Sequence, residues 1–247
     1  MFNNVPYLMK YIYGPLKSRR LGMSLGVSLT PYKVCSFDCV YCQLGKTTEK
    51  TVEIGEYSSI EDIVAELKLW LAHHQKEIND LQYITLSGSG EPTLNIKIGR
   101  LIAEIKKIVS VPVAVITNAS LLSLPEVRRA LSGADLIVPS LDAVTEDVFA
   151  RIDRPHEKIK IEDVIAGLVS LRKEFRGKIW LEVMLVRGLN DDLRHIRELQ
   201  EVIQQINPDK IQLNSPVRAT AEENVSAVPR SKLVKIKGML GDKCEIV

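Results

Sequence analysis

From residue 24 onward the chain alternates short, continuous apolar runs with longer stretches whose apolar positions recur every three or four residues. The runs at 25–29, 83–86, 113–117, 136–141, 180–186 and 210–213 predict strands. Their continuous apolar character, rather than strict alternation, predicts burial on both faces of a parallel sheet. Between them, Ser59 followed by Asp62 reads as a capping box, opening a helix with Ile60, Ile63, Val64, Leu67 and Leu71 on one face. Ile98, Leu101, Ile102, Ile105 and Ile108 mark a second helix, and Ser123 and Pro125 start a third. Thr145 is placed to cap a fourth, which breaks near Arg154-Pro155 and resumes at 162–172. Asp191 or Asp192 caps a fifth, ending before Asn207-Pro208.

This is a ladder of about six βα units. Helices between parallel strands imply right-handed crossovers, in either an open doubly wound sheet or a curved, barrel-like one. In both, ligands belong at the carboxyl ends of the strands. No internal repeat or low-complexity linker interrupts the ladder. The segment from Val217 onward is less periodic and locally basic, with Arg218, Arg230, Lys232, Lys235 and Lys237.

Composition narrows the class. Of 247 residues, 45% are hydrophobic and 26% charged, which is ordinary globular composition. A formal net charge of +2 gives no whole-molecule signature for a polyanion. No basic leader with an apolar core opens the sequence, and no apolar run approaches the ~18–20 residues that span a bilayer. The expectation is a cytoplasmic protein with no membrane partner.

In a reducing compartment, three clustered thiols with a distant Cys244 read as a metal site plus a spare, rather than as disulfides. Cys35, Cys39 and Cys42 have the spacing C-x-x-x-C-x-x-C, directly after the first predicted strand. Three thiols on one loop can grip one face of an iron–sulfur cube, which wants four ligands. Lys33 lies close by, and a cation favours thiolate. The alternatives are zinc, which normally takes four protein ligands, and inert buried thiols. After the second strand comes Ser87-Gly-Ser-Gly-Glu-Pro-Thr93. Glycines there let backbone approach a ligand, Glu91 adds a carboxylate and Pro92 stiffens the exit. Alone this is a common turn; beside the cysteine loop it suits an amino-acid ammonium.

Together these motifs resemble the radical S-adenosylmethionine (SAM) superfamily, whose hallmark is C-x-x-x-C-x-aromatic-C; Tyr41 is the aromatic residue. Residues Gly88, Ser89, Gly90, Glu91 and Pro92 look like its Gly-Glu motif. The resemblance implies a partial (β/α)6 barrel, a [4Fe–4S] cluster on Cys35, Cys39 and Cys42, and S-adenosyl-L-methionine on the fourth iron. It further implies reductive cleavage of that cofactor to a 5′-deoxyadenosyl radical that abstracts hydrogen from a substrate. Cluster potentials reach the strongly negative values this needs. Thr117 and Asn118, Ser140 and Asp142, Glu182 and Arg187, and Asn214 fall at successive strand ends and match family positions that contact the cofactor. Gly188 and Asn190 belong to the fifth of these segments, where they equally suit shaping the loop.

The implied organisation is an N-terminal extension over 1–24, the barrel over 25–216, and a C-terminal extension over 217–247 packed on or beside it. The opening Tyr13-Gly-Pro-Leu-Lys-Ser-Arg-Arg-Leu-Gly, with the cysteine loop and the segment 151–156, resembles more narrowly a group of small Fe–S oxidoreductases. That group is related to wyosine-type enzymes that modify transfer RNA. Arg19 and Arg20 read as a clamp for phosphate or carboxylate, or as exposed arginines at the barrel bottom. His156, in the loop after Arg154-Pro155, could donate a proton there but is not assigned that role. Three function classes follow: a radical enzyme acting on RNA or a nucleotide-like substrate, one acting on a protein or peptide, or a non-catalytic Fe–S electron carrier. With Cys244 the one remaining cysteine, an auxiliary cluster is not expected, and the electron must come from an external donor of flavodoxin or ferredoxin type. The sequence assigns no catalytic side chain.

Overall fold

The computed structural model describes residues 9–247. Strands are β1 (Ile12–Ser18), β2 (Gly22–Ser28), β3 (Val34–Cys35), β4 (Glu49–Lys50), β5 (Tyr83–Ser87), β6 (Val113–Thr117), β7 (Leu136–Pro139), β8 (Lys178–Met184), β9 (Lys210–Asn214) and β10 (Cys244–Ile246). Helices are α1 (Ile60–His73), α2 (Gln75–Ile78), α3 (Ile98–Ile108), α4 (Pro125–Leu131), α5 (Glu146–Ile152), α6 (Ile161–Glu174), α7 (Leu193–Ile206) and α8 (Arg230–Leu240). Eight strands form one sheet in the order β1-β2-β5-β6-β7-β8-β9-β10. From β2 to β10 every pairing is parallel, and only β1 runs antiparallel, against β2. This is the parallel α/β arrangement that the alternation predicted, in the partial-barrel form that the resemblance implied.

All six expected strands are present, shifted at their ends by up to three residues. Ser59 caps α1 by accepting the Asp62 amide at 3.2 Å, and Asp192 caps α7 by accepting those of Arg194 and His195 at 3.1 and 3.0 Å. Thr145 sits at the α5 N-cap, but its side chain makes no capping bond. α7 stops at Asn207, whose backbone turns left-handed (φ 49) before Pro208. Two features go beyond the sequence reading. β1 makes a hairpin at one edge, and the weakly periodic C-terminal segment supplies α8 and β10 at the other.

Side-chain alternation along the strands gives the barrel two faces. Outward residues such as Val113, Val115 and Ile137 join the helices in the main core. Inward, Ala114, Leu136 and Val138 pack with Leu21, which the β1–β2 turn delivers into the lumen. Tyr83 and Trp180 meet edge to face beside it, with ring centres 6.2 Å apart. Tyr13 lies over Gly26, where any Cβ would fall 2.1 Å from its ring, and its hydroxyl bonds that of Ser87 at 2.6 Å. The apolar floor therefore gives way to polar groups near the carboxyl ends.

His195 on α7 is 3% exposed, and neither ring nitrogen has a hydrogen-bond partner. Burial lowers its pKa. A group whose folded pKa is depressed contributes stability in full above its unfolded pKa of ~6.5, and loses it as pH falls below that value. Thermal melts should therefore show the wild type losing more stability between about pH 7 and 5 than H195L; parallel pH profiles would remove His195 as the cause.

Candidate functional site

The cysteine loop leaves the carboxyl end of β2 and is fixed at several points. Phe37 and Val40 are buried, Phe37 edge to face against Phe149 of α5 with ring centres 5.2 Å apart. The Val40 amide donates to Ile152 O at 2.9 Å, and that of Asp38 to Asp153 O at 3.0 Å. Asp38 in turn accepts the Thr47 amide at 2.6 Å, closing the loop on itself. Cys35, Cys39 and Cys42 are left half-buried, with no disulfide among them. Lys33 Nζ donates to Cys42 Sγ at 3.0 Å, and Asn118 Nδ2 lies 3.6 Å from Cys35 Sγ. Burial, then the charge of Glu91, pushes the Cys35 thiol up to about 11. Burial, then Asp153, drives Cys39 well above its ordinary range. For Lys33, burial works to lower the pKa, but the cysteine sulfurs, Cys42 foremost, outweigh it and raise the value.

The turn after β5 presses against this loop. A Cβ on Gly90 would stand 1.8 Å from the Val34 carbonyl oxygen, and the Glu91 amide donates to the same oxygen at 3.2 Å. Glu91 is 2% exposed, with both carboxylate oxygens taken by protein donors. Its Oε1 accepts from the Thr93 amide at 3.0 Å and from the Thr93 and Thr117 hydroxyls, both at 2.6 Å; its Oε2 accepts from the Asn118 amide at 2.7 Å. Burial raises its pKa, while these bonds work in the opposite direction. Gly88 has φ 111, open to glycine, and packs on Ser28. Ser89 bonds the Ser28 hydroxyl at 3.3 Å, and Pro92 is buried at the start of a short 3-10 turn.

Tyr41 stands opposite. Its hydroxyl donates to the Asp142 carboxylate and lies 3.4 Å from Asp153 Oδ1. Asp142 also accepts the Met184 amide at 2.7 Å. Burial, and then their mutual repulsion, holds Asp142 well above the usual carboxylate range; burial takes Asp153 to about 7. A cavity of about 10 Å³ among Tyr41, Asn118, Ser140, Asp142 and Asp153 has room for about one water.

Deeper in the lumen, Glu182 pairs with Arg20 and accepts from Asn214 Nδ2 at 3.0 Å. Arg20 thus reaches in from the hairpin turn, and Gln212 Nε2 holds its carbonyl at 3.0 Å. Arg187 is exposed on the β8–α7 loop. Gly188 has φ 76 there, and Asn190 is buried, donating to the carbonyls of Asp142 and Met184 at 2.8 Å each. The His156 amide anchors to Ser36 O at 2.9 Å. Cys244 lies in β10, away from the other cysteines. Lys33, Thr93, Asp153 and Ser36 complete the constellation. Lys33 alone among them stood out in the sequence, by proximity to Cys35.

The family model described as "Radical SAM superfamily" matches residues 29–199, from the cysteine loop into α7. The chain belongs to the radical SAM superfamily. It is accordingly a radical SAM enzyme, and members of this superfamily bind a [4Fe–4S] cluster and S-adenosylmethionine. Among curated relatives, it is 39% identical over 237 residues to a protein of Brachyspira hyodysenteriae named "GTPase Obg". That match covers 96% of this chain but only 34% of the relative, so the radical SAM chain spans about a third of that protein's length. A "UPF0026 protein" of Methanocaldococcus jannaschii is 32% identical, over 95% of this chain and 72% of the relative. A Thermotoga protein named "Probable dual-specificity RNA methyltransferase RlmN" is 26% identical, covering 83% of this chain and 58% of the relative.

Among solved structures, "Structure of TYW1 with a lysine-pyruvate adduct bound" shares the radical SAM fold at a TM-score of 0.65 and 22% identity, covering 88% of this chain and 72% of that one. A radical SAM methyltransferase from Sphaerobacter thermophilus aligns at 0.69 and 16%, covering 91% and 66%. Among the described residues, no helix is long and apolar enough to cross a membrane.

The contact between Gly90 and Val34 makes a specific demand. G90A should lose most of its iron on anaerobic reconstitution, with overpacking costing about 1–3 kcal/mol in denaturant melts. G55A, where the nearest neighbour of a new Cβ is 4.0 Å away, should keep its iron and serves as the control. Equal iron in both variants would mean that the turn does not support the cysteine loop.

Proposed function

We propose that Cys35, Cys39 and Cys42 carry the [4Fe–4S] cluster, that the strand ends from β5 to β9 hold S-adenosylmethionine, and that the substrate is RNA or nucleotide-like. The observation that carries the first part is Lys33. It is 2% exposed, its ammonium lies 3.0 Å from a cysteine sulfur, and among the described residues no carboxylate pairs with it. A buried cation is costly unless an anion neutralises it. Thiolates bound to a cluster provide that anion, whereas protonated thiols do not. Three cysteines spaced along one loop suit a cluster in which each thiolate grips a different iron.

When bound, the cluster and S-adenosylmethionine supply one-electron cleavage of the sulfonium, yielding an organic radical able to abstract hydrogen. The chain's residues bind, orient and shield. The Glu91 carboxylate is committed to protein donors, so backbone carbonyls of the 88–90 turn are the better acceptors for the cofactor's ammonium. Glu91 then acts by fixing that turn to Thr117 and Asn118. Tyr41, tied to Asp142 and Asp153, braces the cysteine loop against β7 and β8. In this assignment Asp142 is a support for Tyr41, and Ser140, Glu182, Arg187 and Asn214 remain for the nucleoside end and the substrate. An external one-electron donor completes the turnover.

The RNA class rests on the likeness to the Thermotoga protein named as an RNA methyltransferase. Arg19 reaches Val247 O at 3.4 Å, next to β10, with Arg218 near enough to repel it, and these two suit phosphate; Arg20 is already paired with Glu182.

Anaerobically reconstituted protein given dithionite and S-adenosylmethionine should release 5′-deoxyadenosine, and C39A should not. A fully loaded cluster without any release would instead mark an electron carrier. E91A should bind S-adenosylmethionine at least tenfold more weakly while keeping its iron; loss of iron there would give the carboxylate another task. Binding to transfer RNA should weaken steeply as salt rises, and weak, salt-independent binding would remove the RNA class.

A further inference from the structure

Lys33 stands in the left-handed region of the backbone, φ 55, which disfavours any side chain with a Cβ. Its backbone is held there from both directions. The amide donates to Ser89 O at 2.8 Å, and the carbonyl accepts from the Thr48 and Glu49 amides at 3.1 and 3.3 Å. The loop thus maintains an unfavourable conformation at a residue that is neither glycine nor asparagine. The result is a side chain running inward, with its ammonium against Cys42. An observed backbone outlier at a site is a reason to look for a role.

The charges around the three sulfurs are asymmetric. Lys33 lies on the Cys42 side, and Asp142 and Asp153 lie on the Cys39 side. Asn118 adds a neutral N–H donor toward Cys35. A cluster held by these cysteines becomes one charge more negative when it accepts an electron. A fixed cation at a ligating sulfur, away from water, stabilises the reduced form more than the oxidised one. Hydrogen bonds and net charge at the sulfurs are among the terms that set such potentials.

We infer that Lys33 is a positioning residue of a particular kind: its ammonium raises the reduction potential of the cluster and so brings it within reach of the external donor. The inference rests on the assignment of the cluster to Cys35, Cys39 and Cys42. Lys33 exchanges neither proton nor electron in this role. One electron passes from the donor to the cluster, and the lysine charge stays constant throughout.

The test is an anaerobic redox titration of the reconstituted full chain, following the electron paramagnetic resonance signal of the reduced cluster in wild type, K33M, K33Q and K33R. All three substitutions share the backbone conformation's cost, so only side-chain charge and shape differ. At a fixed poised potential, K33M and K33Q should show about a tenfold lower ratio of reduced to oxidised cluster, equivalent to ~59 mV for a one-electron couple. K33R should stay within about threefold of wild type by the same conversion. Iron and visible absorbance are measured first. A wild type that assembles no cluster overturns the cysteine assignment and the inference with it. Full iron in the neutral variants with a wild-type potential overturns the inference alone. Iron lost in both neutral variants but kept in K33R supports the demand for a cation at Cys42. Iron lost in all three assigns Lys33 a role of shape and overturns the electrostatic one.

Discussion

Two oxygens of Glu91 collect four donors from two segments while touching almost no solvent. The bonds tie the turn after β5 to the end of β6, and the turn's own backbone meets the cysteine loop through Val34. Three consecutive pieces of the site are therefore one mechanical unit. A buried donor left without its acceptor costs about 1–3 kcal/mol, so the unit is hard to loosen at one point only. The glycines on either side of Ser89 make the arrangement possible. Gly88 turns through a positive φ, and Gly90 leaves room for a carbonyl where a methyl group would collide.

Around that unit the barrel separates its chemistry by depth. The lumen floor is apolar, closed by Leu21, Ala114, Leu136 and Val138. Above it lie hydroxyls, amides and the Arg20–Glu182 pair. At the top, a lysine faces one cysteine and a carboxylate pair lies toward another. Low dielectric makes each of those charges felt strongly, and it also makes each one costly unless its neighbour compensates. The two aspartates share the Tyr41 hydroxyl, and burial raises the pKa of both.

The sequence disclosed the parallel strands well because burial on both faces leaves continuous apolar runs, as at 113–117. It hid β1, whose seven residues include a proline and three exposed positions, features of an edge strand rather than a central one. It hid α8 too, since Leu233, Ile236 and Leu240 are scattered among Arg230, Lys232, Lys235 and Lys237. In the site, the cysteines were legible from spacing and Glu91 from its glycines. The direction in which Glu91 points was not, because its partners depend on the register of β6. Asp153 was equally obscure: it is the last residue before the α5–α6 break, and only the folded loop brings it to Tyr41.

The hairpin turn that carries Arg20 has a consequence for the order of events during synthesis. Its partner Glu182 lies 162 positions further along the chain, and the cysteine loop is anchored to Asp153 and Tyr41 to Asp142, 101 positions on. Contacts so distant in sequence form slowly, after much of the loop entropy between them has been lost. A nascent chain therefore exposes its cysteines well before the walls that bury them exist. The three thiols of this chain thus pass through a solvent-open stage before Lys33 and Asn118 reach their places beside them.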